Sequence, residues 1–163
     1  MHVGPVIIGF DGTPGSVQAV REAAALLAPR AALAVVVWEA GRAFEVATLP
    51  EQALELPSDR VDLGNAFATE KEAGDNAEEL AQHGAALARE AQFQADGFAV
   101  ADDATVADTL ARVAQEQDAQ AVVIGTGDHH GPGTRRVGST LAGLLEKAPC
   151  PVLVCGRARS GTS

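Results

Sequence analysis

The chain has 163 residues, 47% of them hydrophobic and 21% charged, which is enough apolar material for one packed domain. Twelve basic residues against 22 acidic residues give a formal net charge of −10, which argues against nucleic acid as a partner because such binding needs a basic patch. No apolar run approaches the roughly 18 residues of a membrane span, and the first residues lack the features of a signal peptide. We therefore expect a cytoplasmic protein with no membrane partner.

Short runs of β-branched residues predict strands buried in a parallel sheet, because none of these runs alternates polar with apolar residues. In chain order the runs are 6–8, 35–37, 122–124 and 152–154, and a weaker candidate strand covers 98–100. Between the strands, apolar residues recur at helical spacing and predict four helices. The repeats run from Val17 to Leu27 behind a Thr13 cap, from Ala77 to Ala91, from Val106 to Val113 behind an Asp103 cap, and from Leu141 to Ala148.

The alternation of strands and helices predicts one α/β domain over residues 1–163, with a doubly wound, mostly parallel sheet of five strands. Ligands of such sheets bind at the carboxyl ends of the strands, so the loops after Phe10, Val37 and Gly125 are the candidate sites. An acidic segment at about 39–69 interrupts the alternation. It is predicted to be an insert, either a solvated excursion or a lid.

The glycine-rich stretch 125–140 is the strongest local signal for chemistry. It begins at the end of a predicted strand and finishes at a helix start, where glycines allow close backbone approach and free amides favour an anion. This pattern predicts a phosphate site as readily as it predicts an ordinary crossover loop. Asp11, at the end of the first strand, either accepts hydrogen bonds from a ribose or organises the turn before the first helix.

Other kinds of site find no support in the sequence. The Walker phosphate-binding motif is absent, and the glycines at 125, 127 and 131 do not have the spacing of a dinucleotide fingerprint. His129 and His130 are adjacent and have no partners at metal-ligand spacing, so we predict no metal site. No nucleophile–base pair is recognisable, so we predict no catalytic residue.

Two segments resemble the universal stress protein family. One is the opening strand and loop, VIIGFDGTPGS at 6–16, and the other is the closing strand, APCPVLV at 148–154. The resemblance covers nearly the whole chain and is weakest in the insert. It implies a Rossmann-like fold of the adenine-nucleotide α-hydrolase type with strand order 3-2-1-4-5, and a homodimer formed through the last strand.

Many members of that family bind ATP through two glycines three apart, nine further residues, and a final Gly-Ser/Thr. The resemblance implies that Gly125, Gly138 and Ser139 fill the first, last and hydroxyl positions of this motif. It further implies that Asp11 faces the ribose, that the Val37 backbone contacts adenine, and that Thr126, Gly127 and Thr140 line the phosphate path. The function so implied is an ATP-binding regulatory module of the stress response, with ATP held alone or with Mg²⁺.

Asp128 departs from the motif, because it stands where the second glycine is expected. A carboxylate about 6 Å from a phosphate charge costs about 2–3 kcal/mol per charge pair at an effective dielectric constant of about 20, which is roughly a hundredfold in affinity. Arg135, Arg136 or a bridging Mg²⁺ would offset this cost. Two alternatives stay open: a nucleotide-free dimeric interaction protein of the same fold, and a slow ATP hydrolase with Asp11 or Asp128 as its acidic group.

Overall fold

Strands and helices alternate in the predicted order. The computed structural model describes residues 3–40, 63–102, 104–126 and 138–156. Its strands are β1 Val6–Gly9, β2 Ala31–Trp38, β3 Gln94–Ala101, β4 Ala121–Gly125 and β5 Val152–Cys155. Its helices are α1 Pro14–Leu27, α2 Leu63–Glu90, α3 Val106–Glu116 and α4 Ser139–Lys147.

The five strands form one parallel sheet with the order β3-β2-β1-β4-β5, which confirms both the doubly wound architecture and the strand order. The chain builds outward from β1 through β2 to β3, then crosses back to β4 and outward again to β5. The strand order therefore reverses between β1 and β4, and ligands of open α/β sheets bind at this kind of position.

The sheet is covered on both faces, which explains why its strands lack polar alternation. Successive side chains point to opposite faces. On one face Val6 and Ile8 pack with α1 and α2, and on the other face Ile7 packs with α3 and α4. All three of these side chains are fully buried. The central strand thus lies in the middle of a three-layer domain.

The predicted acidic insert is too long at its carboxyl end, because α2 begins at Leu63 and residues 63–69 belong to the helix. The apolar repeat is clear only from Ala77 onward, so the sequence pattern does not indicate the first part of the helix. That part is rich in strong helix formers such as Glu70, Lys71 and Glu72, whose intrinsic propensity supports a helix without an apolar stripe. The rest of the insert, residues 41–62, lies outside the described residues.

The residue that caps α3 is Thr105 and not the predicted Asp103, which itself lies outside the described residues. The Thr105 hydroxyl accepts a hydrogen bond from the Asp108 N–H at 3.1 Å and donates one to the Asp108 carboxylate at 2.8 Å. This reciprocal arrangement resembles a capping box, with a hydroxyl residue followed three positions later by an acid. The spacing of Thr105 and Asp108 in the sequence carries that signal, whereas Asp103 stands too early for it.

Candidate functional site

β1 is shorter at its carboxyl end than both of its neighbours. Its last residue, Gly9, lies opposite Val35, and β2 continues past that point to Trp38. On the other side Ile8 lies opposite Val123, and β4 continues to Gly125. The ends of β2 and β4 therefore flank the loop that follows β1. This recess at the strand-order reversal, walled by β2 and β4, is the candidate site.

The loop after β1, residues 10–13, is called the β1 loop, and Asp11 holds its conformation. One oxygen of its carboxylate, Oδ1, accepts hydrogen bonds from the Thr13 N–H at 3.0 Å and from the Thr13 hydroxyl at 2.6 Å. The Thr13 hydroxyl in turn accepts from the Ser16 N–H at 3.3 Å and caps α1. Gly12 between them has a φ of +77°, a conformation that favours glycine. Asp11 thus organises the turn. The residue as a whole is exposed although neighbouring atoms partly bury its carboxylate, which keeps the capacity to accept further hydrogen bonds from a ligand.

Two opposing influences act on the pKa of the Asp11 carboxyl. Partial burial raises it, and hydrogen bonds from the hydroxyl and N–H of Thr13, with a smaller contribution from the Ser16 hydroxyl, lower it by more. The pKa therefore lies below the ordinary value of 3.8. At neutral pH the group is a carboxylate, which can accept but not donate hydrogen bonds.

Replacing Thr13 tests this account of Asp11. In Thr13→Val we expect the Asp11 pKa to rise and the free energy of unfolding to fall by about 1 kcal/mol, since the helix cap is lost as well. A folded-state pKa below the unfolded one gives stability that is complete above the unfolded pKa and is lost as the pH falls through the folded pKa. The stability difference between wild type and T13V should therefore narrow below about pH 4.

Carboxyl-carbon NMR titration and urea unfolding at several pH values measure these two effects, with Thr13→Ser as the control that keeps the hydroxyl. An unchanged Asp11 pKa in T13V, or a stability difference that does not vary with pH, would contradict the account.

The end of β4 lies directly against the start of α1. A Cβ added to Gly125 would lie 2.6 Å from the carbonyl oxygen of Gly15, and one added to Gly15 would lie 2.9 Å from the carbonyl oxygen of Thr126. Side chains at either glycine would force the two segments apart. The Thr126 N–H donates to the Cys155 carbonyl at 2.8 Å, which ties this end of β4 to β5, and the Thr126 residue is exposed. Gly125 and Thr126 thus form the β4 wall of the site.

The start of α4 has the features of an anion site. Its N-cap is Gly138, which provides no side-chain hydrogen bond, and its first turn holds no acidic residue. A Cβ added to Gly138 would meet nothing within 4 Å of the described part of the chain. Ser139 is exposed and Thr140 is half-buried. Because α4 connects two parallel strands, its first turn lies at the carboxyl edge of the sheet, where the free amides of a helix favour negative charge.

The predicted site residues divide into three groups. Asp11, Gly125 and Thr126 lie at the strand-order reversal, and Val37 lies near the end of β2, half-buried on the α3 and α4 side of the sheet. Gly138, Ser139 and Thr140 form the start of α4. Gly127 and Asp128 lie outside the described residues.

Sequence reasoning missed the contribution of α2 to this site. A Cβ added to Gly12 would lie 3.0 Å from Cδ1 of Leu80, and one added to Gly74 would lie 3.5 Å from the Trp38 ring. One helix therefore lies against both the β1 loop and the end of β2. The sequence identifies Leu80 only as part of an apolar helix repeat, and nothing in that repeat indicates which loop the side chain contacts.

Within 3–40, 63–102, 104–126 and 138–156, no three side chains of His, Cys, Asp or Glu come together as a metal centre would require. In these ranges no helix combines the length and the apolar character that a membrane crossing needs.

Residues 2–156 match the model of the universal stress protein family. No curated protein matches the chain significantly. Among solved structures, the universal stress protein from Archaeoglobus fulgidus in complex with dAMP is 18% identical, with a TM-score of 0.60 over 94% of this chain and 98% of that chain.

Two further structures have similar folds. A universal stress protein family member from Burkholderia pseudomallei is 20% identical, with a TM-score of 0.62 over 93% of this chain and 94% of that chain. A family member from Arabidopsis thaliana with AMP bound is 13% identical, with a TM-score of 0.59 over 98% of this chain and 95% of that chain. At these identities the structures establish the fold, and the family match over residues 2–156 establishes the relationship. The chain belongs to the universal stress protein family.

Proposed function

We propose that this protein binds an adenine nucleotide in the recess at the strand-order reversal and acts as a regulatory module of the stress response in the cytoplasm. The observation that carries the proposal is the arrangement around β1. An ionised Asp11 lies between the extended ends of β2 and β4, and an α4 start without a side-chain cap lies at the same edge of the sheet. The dAMP and AMP bound by two related structures support the choice of ligand.

Each wall of the recess suits one part of a nucleotide. The Asp11 carboxylate accepts hydrogen bonds, which suits ribose hydroxyls, and the end of β2 at Val37 offers backbone groups to adenine. The amides and hydroxyls of Ser139 and Thr140, with Gly125, Thr126 and Gly127, would receive the phosphates. A Cβ added to Gly138 would meet none of the described residues, and a phosphate oxygen placed at that position would contact the backbone.

Binding of AMP is the direct test. At an AMP concentration about a hundred times its dissociation constant, binding to the folded state stabilises it by about 2.7 kcal/mol, which raises the Tm of a chain of this size by about 5–10 °C. Trp38, the single tryptophan, stands next to Val37, so its fluorescence gives a second measure of binding. GMP is the matched ligand control. An unchanged Tm and unchanged fluorescence with AMP, on protein freed of ligand, would refute the proposal.

The number of phosphates decides between AMP and ATP as the ligand. We propose ATP, with Mg²⁺ offsetting the charge of Asp128. Asp128→Gly should then tighten ATP binding by up to roughly a hundredfold in the absence of Mg²⁺ and change AMP binding much less. Equal effects on both nucleotides would reject Asp128 as the obstacle.

We also propose that the protein does not turn ATP over, and release of ADP over many turnovers would contradict this.

A homodimer formed through β5 is a second part of the proposal. Among the described residues β5 is an outer strand of the sheet, and its apolar Val154 is 37% exposed, which favours pairing with the same strand of a second copy. Light scattering should give twice the chain mass for wild type and the single-chain mass for Val154→Lys. Val3→Lys, at another exposed valine, should leave the dimer intact. A monomeric wild type would refute the dimer without affecting the nucleotide proposal.

A further inference from the structure

One turn of α2 contacts the β1 loop on both sides of Asp11. On the Gly12 side, a Cβ added to Gly12 would lie 3.0 Å from Cδ1 of Leu80. On the Phe10 side, a Cβ added to Gly84 would lie 2.8 Å from Cδ1 of the Phe10 ring. The His83 ring also lies 6.1 Å from the Phe10 ring, measured between centroids. Residues 80, 83 and 84 occupy one face of the helix.

The two sides of Asp11 differ in how firmly they are held. Phe10 is 3% exposed, and its N–H donates to the Val35 carbonyl at 2.9 Å. Gly12 and Thr13 are exposed. Glycine adopts positive and negative φ almost equally well, so the backbone of Gly12 does not by itself select the conformation that brings Thr13 back to the Asp11 carboxylate. A contact at Gly12 itself can select that conformation, and Leu80 supplies one.

We propose that Leu80 is a positioning residue for the nucleotide site. Its side chain packs against Gly12, selects the turn in which the Thr13 N–H reaches Asp11, and so sets the direction of the Asp11 carboxylate. The effect on binding rests on the proposed adenine-nucleotide function. The effect on the loop does not, because it concerns contacts within the protein itself.

Leu80→Ala tests the proposal, with Leu87→Ala as the matched control. Both leucines lie on α2, both are half-buried, and both pack against the same core, so a general loss of packing would affect the two variants alike. Leu80→Met restores a long apolar side chain and should rescue any specific effect. The first measurement is the pH dependence of the Thr13 amide resonance, which follows the titration of the carboxylate that accepts its hydrogen bond. The second is the affinity for AMP.

We expect the change in the Thr13 amide chemical shift with pH to fall in L80A to about half of its wild-type size or less. The hydrogen bond from this amide to Asp11 is then formed for less of the time. AMP affinity should fall by about tenfold or more in L80A and by less than about threefold in L87A. L80M should resemble wild type in both measurements. If L80A and L87A change the measurements alike, or if neither changes them, the proposal is overturned.

The two proposals can fail separately. A Thr13 signal altered only in L80A, combined with no AMP binding by any variant, would keep Leu80 as the residue that positions Asp11 and reject the nucleotide function. AMP binding by wild type, combined with an unaltered Thr13 signal in L80A, would keep the nucleotide function and reject Leu80 as the residue that positions Asp11.

Discussion

Gly125→Ala is expected to lower the free energy of unfolding by about 1–3 kcal/mol and to weaken nucleotide binding at the same time. The added methyl carbon would lie 2.6 Å from the Gly15 carbonyl oxygen and 2.8 Å from its carbonyl carbon, closer than real contacts allow. Both obstructing atoms belong to the backbone, so no side-chain rotation relieves the clash. The end of β4 and the start of α1 must move apart, and these two segments border the proposed ligand.

Gly138→Ala is the matched control for that variant. The added methyl meets nothing within 4 Å of the described residues, and the φ of −57° suits any residue. The free energy of unfolding should therefore change by less than about 1 kcal/mol, the difference between glycine and alanine at an N-cap. ATP affinity should nonetheless fall by about tenfold or more, because the methyl occupies the space proposed for phosphate.

Urea unfolding and calorimetric titration of both variants separate the two roles. Full stability in G125A would contradict the close approach of β4 and α1. Unchanged ATP affinity in G138A, with wild-type ATP binding intact, would remove the start of α4 from the phosphate site.

Leu144→Ala is expected to be the most destabilising single substitution among these predictions, costing about 2–5 kcal/mol of unfolding free energy. Leu144 has no exposed surface and packs in the core that α3 and α4 form against the sheet. α3 and α4 lie very close to each other next to this residue. A Cβ added to Gly143 of α4 would be 2.6 Å from the side chain of Ala107 on α3. Helices already in such close contact can collapse little further around the lost side chain, so much of the cavity should persist.

The next residue provides the control for this substitution. Leu145 is 64% exposed, so Leu145→Ala should change the free energy of unfolding by no more than about 0.5 kcal/mol. Chemical unfolding followed by circular dichroism measures both. Comparable losses in the two variants would contradict the burial assigned to α4.

Much of the fold could be predicted because its signals are local and repeated. Runs such as Val6 to Ile8 are apolar without alternation, which is typical of a strand covered on both faces, and the structure places these side chains in two opposite cores. Helix boundaries were harder to predict. The start of α2 is a polar helix segment, which carries no apolar period in the sequence. The cap of α3 follows from the pairing of Thr105 with Asp108, three positions apart, and not from the earlier acidic residue Asp103.

For the candidate site, the sequence leaves the role of a residue open even where it identifies the residue. From sequence, Asp11 had two possible roles, one in a turn and one toward a ligand. The structure shows the first directly, since Oδ1 of Asp11 accepts two hydrogen bonds from Thr13. Its exposed position at the strand-order reversal is what supports the second as a proposal. One carboxylate can serve both roles because it has more acceptor positions than the turn uses.

The sequence by itself determined the order of elements and the parallel character of the sheet, because these follow from the period and polarity of consecutive residues. The edge of the sheet at which a ligand would bind stays a prediction. The net charge of −10 argued against nucleic acid as a partner. Only the tertiary structure decided that Gly125 must lack a side chain to let α1 approach, and that Leu80 reaches Gly12 across 68 positions of the chain. Contacts between distant segments depend on how the layers pack, and no local pattern encodes them.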